Sequence, residues 1–223
     1  MTKRKIVITE DGSTTVFDNR VKQNFHSVYG ALSESQHIFI KAGFEFFAEL
    51  NPDEIRIFEV GFGTGLNAAL AMEAAHKHRI PVLYHTVEKY PLENEEWQNL
   101  SFGLKTVNER ELIEKLHTTD RNREIAISDF FTLKKQKIDL LDIELPEAFY
   151  DVVFFDAFSP DVQPELWTKE VFSGIFKAVR TNGVLTTYSV KGDVKRALKA
   201  AGFKIEKIPG PKGKREILRA VKP

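Results

Sequence analysis

Three glycines in one short segment have the spacing that points most directly to a chemistry. Residues 59–65 read Glu-Val-Gly-Phe-Gly-Thr-Gly and stand between a predicted strand and a predicted helix. Glycines there let the backbone turn tightly and approach a ligand closely. Glu59 precedes Gly61, Gly63 and Gly65; an anion at this place does not help to bind a pyrophosphate, but it attracts a ligand with an ammonium and a sulfonium. The pattern therefore favours S-adenosylmethionine over NAD, with a ligand-free strand–helix turn as the alternative.

Two further acidic positions follow predicted strands and extend this site. Glu88 ends the strand predicted over residues 82–88, where an acid can accept both hydroxyls of a ribose. Asp142 closes the strand predicted over residues 137–143 and is placed to accept a hydrogen bond from an adenine amino group, with Asp139 and Asp129 as competitors. The alternative for Glu88 is a strand-end carboxylate that faces only water.

An acid and two aromatic residues follow the most apolar predicted strand, residues 150–156. Ligands of such sheets bind beyond the carboxyl ends of the strands, so Asp156 is expected to face whatever approaches the cofactor. Phe158 comes directly after it, and Trp167 follows in a proline-containing loop. The alternative is that Asp156 caps this loop while both aromatic residues only pack.

Composition excludes several classes of protein. The 223 residues carry 32 basic and 32 acidic side chains, which argues against a nonspecific DNA packager. The absence of cysteine excludes disulfides, thiolate nucleophiles and cysteine-ligated metal sites in this sequence, and the six histidines have no metal-ligand spacing, so no metal is expected. No apolar run approaches the length of a membrane span, and we expect a cytoplasmic protein with no membrane partner.

The zero net charge hides an asymmetry. Residues 191–223 hold eleven Lys and Arg against three Asp and Glu, a net charge of +8. Such an excess indicates either a phosphate-binding face or a solvated helix face with an ordinary tail.

The elements that position these residues alternate along the chain. An N-terminal hairpin is predicted over residues 5–9 and 14–17, followed by a helix over 33–50 with Ser33 as its N-cap. Further strands are predicted over 55–60, 82–88, 124–131, 137–143, 150–156, 183–189, 203–208 and 215–221. Helices are predicted between them over 66–77, 92–100, 108–116, 165–179 and 194–201.

This order predicts an α/β fold with a mostly parallel sheet. The last two strands are joined by a short Gly/Pro turn, so one strand near the edge must be antiparallel. We expect a single domain over residues 1–223, with the hairpin and first helix in 1–50 and a Rossmann-like core in 51–223.

Four motifs together resemble a known family. They are Phe58-Glu59-Val60-Gly61-Phe62-Gly63-Thr64-Gly65-Leu66-Asn67, Glu88-Lys89-Tyr90-Pro91-Leu92, Asp156-Ala157-Phe158-Ser159-Pro160 with Pro164-Glu165-Leu166-Trp167, and Gly213-Lys214-Arg215-Glu216-Ile217-Leu218. The segment Gly30-Ala31-Leu32-Ser33-Glu34-Ser35 also fits. The sequence is similar to the methyltransferase part of the bacterial tRNA wobble-uridine modification family MnmC.

The resemblance implies a class I methyltransferase that uses S-adenosylmethionine. It also implies an acceptor, the primary amine of 5-aminomethyl-2-thiouridine in the tRNA anticodon, which becomes 5-methylaminomethyl-2-thiouridine. Carried over, the cofactor loop includes Asn67 beside Glu59 and the three glycines, Glu88 takes the ribose, and Asp142 is near the adenine. Asp156 borders the acceptor amine as the catalytic residue.

If the acceptor is RNA, two groups of residues are candidates for contacting it, although Lys214 and Arg215 could instead only form the end of a hairpin. Phe158 and Trp167 are expected to stack on the flipped-out base. Lys212, Lys214 and Arg215 are expected to bind phosphates of the anticodon stem-loop.

Two-domain members of the family carry a flavin-dependent domain that prepares the amine. This sequence stops shortly after the methyltransferase motifs, so we expect a separate enzyme to supply the aminomethyl uridine. Two alternatives stay open: an aminopropyltransferase of the spermidine-synthase type, and a noncatalytic module that binds RNA or protein.

Overall fold

Two β-sheets form the scaffold in the computed structural model, which describes residues 4–105 and 108–223. The smaller sheet consists of β1 (Arg4–Ile8), β2 (Thr14–Asp18) and β3 (Gln23–Asn24). The larger sheet consists of β4 (Ile55–Val60), β5 (Val82–Val87), β6 (Glu124–Ser128), β7 (Phe131–Gln136), β8 (Tyr150–Phe155), β9 (Val179–Thr187), β10 (Lys204–Pro209) and β11 (Glu216–Val221).

Helices cover the larger sheet. They are α1 (Ala31–Ser35), a π-helical stretch (Gln36–Glu45) that continues into α2 (Phe46–Ala48), α3 (Leu66–His78), α4 (Asn94–Trp97), α5 (Glu109–Thr118), α6 (Lys169–Ala178) and α7 (Gly192–Ala201). Two 3₁₀ turns, Leu140–Asp142 and Pro164–Trp167, lie in the loops. No helix in the described ranges is long and apolar enough to cross a membrane.

The strand order of the larger sheet is β10-β11-β9-β8-β4-β5-β7-β6. Strands β9, β8, β4, β5 and β7 are parallel to one another, while β11 is antiparallel to both β9 and β10. This confirms the predicted fold class, a Rossmann-like sheet with an antiparallel strand next to one edge. Strand β6 adds an antiparallel strand at the other edge, where it forms a hairpin with β7.

The strand predicted over residues 137–143 is wrong, and with it the place of Asp142. The strand that joins the sheet in this region is β7, which ends at Gln136. Its buried Phe131 and Leu133 alternate with half-exposed residues, as expected for a strand with one face in the core. The chain then turns, and the Asp139 side chain caps the 3₁₀ turn by accepting a hydrogen bond from the Leu141 amide. Asp142 is exposed as a result.

Several predicted helix ends also move. The first helix begins at Ala31 after Gly30, so Ser33 lies inside it and is not its N-cap. The helix predicted over 165–179 is a 3₁₀ turn followed by α6, which starts after Thr168, whose hydroxyl accepts a hydrogen bond from the Val171 amide.

The sheet brings the predicted site together at one edge. Val60, Val87 and Phe155, the last residues of β4, β5 and β8, lie in register as neighbours. The small N-terminal sheet lies against the loops that follow these strands: Gln23 Nε2 donates to Ser159 Oγ at 2.7 Å. The acidic and glycine residues that follow the three strands therefore share one cleft with the N-terminal segment.

Candidate active site

A cleft of about 610 Å³ opens at the carboxyl edge of the parallel strands. Gly61, Gly63, Glu88, Asp156 and Phe158 line it, together with part of the N-terminal segment, residues 20–28. The structure thus brings together residues that are far apart in the sequence.

The glycine loop supplies the backbone floor of this cleft. Gly61 has φ +91°, and a Cβ there would come within 2.8 Å of the carbonyl oxygen of Asp156. Gly65 has φ +81° and forms the N-cap of α3. A side chain at Gly61 would therefore strain the backbone and push the two loops apart.

Glu59 lies under the glycine loop. Its side chain is 0% exposed, and Oε2 accepts a hydrogen bond from Thr86 Oγ1 at 2.7 Å. The Tyr84 hydroxyl on the neighbouring strand and the Asn67 amide also face this carboxyl group. Burial raises the pKa of Glu59 to about 7, although the Thr86 hydrogen bond opposes this shift.

The glycine loop and Glu88 fit S-adenosylmethionine, whereas Glu59 is fully buried and does not line the cleft. The glycine floor is a cradle that a Cβ would fill. The glycine loop would hold the amino acid part of the ligand, with Glu59 buried behind it, and Glu88 would hold its ribose.

Glu88 is held in place by backbone amides. Oε2 accepts a hydrogen bond from Gly63 N at 3.2 Å, and Oε1 accepts one from Tyr90 N at 2.8 Å. Asp139 also lines the cleft, and its Oδ2 lies 2.6 Å from Lys89 Nζ. Asp139, which competed with Asp142 for the predicted adenine contact, lines the cleft, and Asp142 does not.

Asp156 stands at the end of β8 and is held by α3. Asn67 Nδ2 donates to Asp156 Oδ2 at 2.9 Å. Burial raises the pKa of Asp156 well above its ordinary value, and the Asn67 hydrogen bond opposes this effect. Asn67 is 3% exposed and touches the acceptor-side carboxylate, so the structure places it behind Asp156 rather than in the cleft lining.

The two predicted aromatic contacts have different positions. Phe158 lines the cleft and makes an edge contact with Phe25, with ring centroids 5.3 Å apart. Trp167 is 5% exposed, packs against Phe155, and donates from Nε1 to the Phe158 carbonyl at 2.8 Å. Because it is buried under the loop, Trp167 cannot stack on a base in this arrangement; it holds Phe158 in place.

The three basic residues of the C-terminal turn also separate. Lys214 lines the cleft and forms an ion pair with Glu34 at 2.7 Å. Lys212 forms an exposed ion pair with Glu10 at 2.6 Å, and Arg215 is exposed outside the cleft lining.

The N-terminal segment contributes site residues that the sequence reasoning missed. Glu34 lines the cleft and is 8% exposed. His26 also lines it; burial lowers its pKa to about 4, and its Nδ1 lies 3.1 Å from Thr15 Oγ1. Residues 30–35 were part of the resemblance to the family but were given no function. This match was the signal in the sequence that could have pointed to Glu34.

Comparisons with known proteins agree with this geometry. The family model described as S-adenosyl-L-methionine-dependent methyltransferase matches residues 87–223. The chain is 30% identical over 215 residues to the tRNA 5-methylaminomethyl-2-thiouridine biosynthesis bifunctional protein MnmC of Campylobacter hominis, covering 92% of this chain and 31% of that protein. It is 32% identical over 218 residues to the protein of the same name from Nitrosospira multiformis, covering 92% and 35%. The chain spans about a third of the length of these curated relatives.

Solved structures also resemble this chain. The crystal structure of MnmC2 from Aquifex aeolicus superposes with a TM-score of 0.80 at 28% identity, covering 100% of this chain and 73% of that one. Spermidine synthase from Thermotoga maritima has a TM-score of 0.58 at 13% identity, covering 99% and 69%, which shows a shared fold alone. The predicted resemblance to the MnmC methyltransferase part is confirmed.

Proposed function

The chain belongs to the S-adenosyl-L-methionine-dependent methyltransferase family, and we propose that it methylates the primary amine of 5-aminomethyl-2-thiouridine at the wobble position of tRNA. The relatives named MnmC support this acceptor, because their name describes the biosynthesis of the methylated nucleoside.

The position of Asp156 carries the proposal. Asp156 lines the cleft from the end of β8, beside the glycine loop, and Asn67 donates a hydrogen bond to one of its carboxylate oxygens. A carboxylate at this place can accept a hydrogen bond from an amine and direct the nitrogen lone pair toward the cofactor.

When bound, S-adenosylmethionine supplies an electrophilic methyl group on a sulfonium, so a carbon–nitrogen bond forms as a carbon–sulfur bond breaks. The amine must be unprotonated to attack. Asp156 holds the amine and receives its proton, directly or through water. Phe158 is the aromatic face in the cleft on which the uracil can stack.

The basic C-terminal turn supports RNA as the acceptor. Lys212 and Arg215 are exposed beside the cleft mouth, which Lys214 lines. These basic side chains are suited to bind phosphates of an anticodon loop. We expect such binding to weaken steeply as the salt concentration rises.

One observation favours a second candidate, an aminopropyltransferase. Glu34 and Glu165 line the cleft together with Asp156, so the acceptor end is more acidic than the sequence indicated. An acidic channel suits a polyamine. Calorimetry separates the two reactions, because a methyltransferase binds S-adenosylmethionine more tightly than its decarboxylated form and an aminopropyltransferase does the reverse. A noncatalytic module would bind neither.

Nucleoside mass spectrometry tests the proposed acceptor. In tRNA from a strain that lacks this protein, we expect 5-aminomethyl-2-thiouridine to accumulate, and purified protein with S-adenosylmethionine should convert it to the methylated nucleoside. An unchanged nucleoside profile in the deletion strain, together with no conversion by the purified protein, would rule this acceptor out.

A further inference from the structure

The glycine loop is held by a side chain that lies outside the cleft. His117 belongs to the last turn of α5 and does not line the cleft. Its Nε2 lies 2.9 Å from the carbonyl oxygen of Thr64, which stands between Gly63 and Gly65 in the loop. A carbonyl oxygen can only accept a hydrogen bond, so His117 Nε2 carries the hydrogen and donates it. One backbone group of the loop is thus fixed by a residue 53 positions away in the sequence.

The same imidazole also contacts the first residue of the turn formed by residues 62–65. The rings of His117 and Phe62 make an edge contact, with centroids 5.4 Å apart. The Phe62 ring covers Gly65, because a Cβ on that glycine would come within 3.0 Å of it, and the Gly65 amide donates to the Phe62 carbonyl at 2.8 Å. His117 therefore holds this turn both through the ring of Phe62 and through the carbonyl of Thr64.

Neighbouring elements fix the imidazole itself. The Trp97 ring of α4 stacks on it, with centroids 5.4 Å apart and 6° between the ring planes. Lys135 of β7 is 7% exposed and donates from Nζ to the His117 carbonyl at 2.9 Å. Burial lowers the pKa of His117 to about 4, so the imidazole is neutral near pH 7 and keeps its one hydrogen on Nε2. The direction of the donated hydrogen bond is therefore set by α4, α5 and β7 together.

We propose that His117 is a positioning residue for S-adenosylmethionine, which holds the peptide group between Thr64 and Gly65 in the orientation that binds the cofactor. His117 does not touch the cofactor; it acts through the loop. The inference rests on the proposed role of the glycine loop and does not depend on the identity of the acceptor.

The effect on affinity follows from the freedom of the loop. The glycines on both sides of Thr64 give the backbone more accessible conformations than other residues would. A hydrogen bond that limits these conformations raises the fraction of molecules whose loop has the binding shape. Cofactor affinity rises in proportion to that fraction.

Calorimetry with S-adenosylmethionine on the full chain separates donation from ring stacking. His117→Phe keeps a ring against Trp97 but removes the donor, and we expect cofactor affinity to fall about 5–20-fold. His117→Gln removes the ring but places an amide N–H the same number of bonds from the backbone, so its affinity should stay within about threefold of the wild type. Affinity retained in His117→Phe and lost in His117→Gln would overturn the proposal, because stacking would then support the loop.

His117→Asn covers the case in which His117→Phe fails to fold. Its amide lies one bond nearer the backbone and falls short of the Thr64 carbonyl, so its affinity should fall like that of His117→Phe. Equal affinities in the Gln and Asn variants would contradict the proposal.

His76→Phe is the matched control for the loss of an imidazole hydrogen bond. His76 Nε2 lies 2.8 Å from Ser128 Oγ, and its ring makes an edge contact with Phe130, outside the cleft lining. This variant should leave cofactor affinity unchanged. A loss as large as that of His117→Phe would show that the effect is not specific to the glycine loop.

Two further readouts distinguish positioning from a general loss of stability. In His117→Phe, KM for S-adenosylmethionine should rise while kcat at saturating cofactor stays near that of the wild type, because bound cofactor restores the shape of the loop. Hydrogen exchange in the cofactor-free protein should become faster in residues 61–66 and stay unchanged in β8. Equally faster exchange in both segments would contradict a positioning role.

Gly61→Ala separates failure of this inference from failure of the loop assignment. If Gly61→Ala lowers cofactor affinity and His117→Phe does not, His117 has no positioning role and the loop keeps its own. If neither variant changes affinity, the loop does not bind the cofactor and both proposals fall. Calorimetry needs no acceptor, so failure of the proposed acceptor would appear as missing turnover with the calorimetric differences intact.

Discussion

The two sides of the cleft are built in different ways. The proposed cofactor side is local and made largely of backbone: the glycine loop and Glu88 directly follow the neighbouring parallel strands β4 and β5. The acceptor side is assembled over long distances, because Glu34 comes from the N-terminal helix, Asp156 from the sheet and Lys214 from the C-terminal turn. The cofactor half of the proposed site is therefore local in sequence, whereas its acceptor half depends on both ends of the chain.

The largest expected effect tests whether these halves are separable. Asp156→Asn should lower kcat by about 10²–10⁴-fold, because the amine loses its proton acceptor while the side chain keeps its shape. Affinity for S-adenosylmethionine, measured by calorimetry, should stay within about threefold, since the substitution removes no predicted cofactor contact.

Glu88→Gln tests the cofactor side in the same way that Asp156→Asn tests the acceptor side. It should weaken cofactor binding and leave kcat at saturating cofactor near that of the wild type. Unchanged turnover in Asp156→Asn would remove Asp156 from the reaction.

The second prediction concerns pH and belongs to the cofactor side. The pKa of Glu59 is raised from 4.5 to about 7, so the folded protein binds a proton more tightly than the unfolded chain does. Its contribution to the free energy of unfolding is therefore present below pH 4.5 and falls by about 3 kcal/mol as the pH rises to 7.

Urea unfolding across this pH range measures the slope. Glu59→Gln should flatten it, because the amide does not titrate. A slope that is identical in the variant and the wild type would show that Glu59 is already ionised in the folded protein.

The third prediction compares one glycine from each side. Gly61→Ala places a Cβ against the Asp156 carbonyl and should reduce cofactor affinity by about tenfold or more, with a loss of about 1–3 kcal/mol in stability. Gly213 has φ +84°, and a Cβ there would come within 2.2 Å of Tyr29. Gly213→Ala should therefore displace the turn that carries Lys212 and Lys214, the proposed phosphate contacts, and so weaken RNA binding. Cofactor affinity should stay unchanged.

Filter binding with tRNA and calorimetry with S-adenosylmethionine distinguish the two variants. If both variants lost both ligands in proportion to their loss of stability, the two sides would not be independent.

The smallest expected effect concerns Lys212, an exposed residue of the basic C-terminal turn. Lys212→Ala removes an exposed ion pair and should leave the free energy of unfolding nearly unchanged. If Lys212 contacts a phosphate, the slope of log affinity for tRNA against log salt should fall by about 1. Lys77→Ala is the matched control, because Lys77 lies at the C-terminal end of α3, outside the cleft lining, and forms a similarly exposed ion pair with Glu45. Equal slopes for the two variants would place the RNA elsewhere.

The difference between the two sides of the cleft also explains which site residues could be predicted from the sequence. The glycine loop, Glu88 and Asp156 follow apolar strands whose order could be recognised from the pattern, and the carboxyl ends of parallel strands meet by geometry. Asp142 was misplaced because Asp139 caps a 3₁₀ turn, which the apolar pattern of residues 137–143 does not reveal. Glu34 and the burial of Trp167 depend on contacts between distant segments, which no local pattern encodes.

A crystal structure with S-adenosylhomocysteine and the aminomethyl nucleoside tests the central claim most directly. The account predicts the cofactor sulfur against the glycine loop, the ribose hydroxyls on Glu88, and the nucleoside amine within hydrogen-bond distance of Asp156 on the opposite side of the cleft. A cofactor bound outside this cleft, or an amine directed away from Asp156, would contradict it.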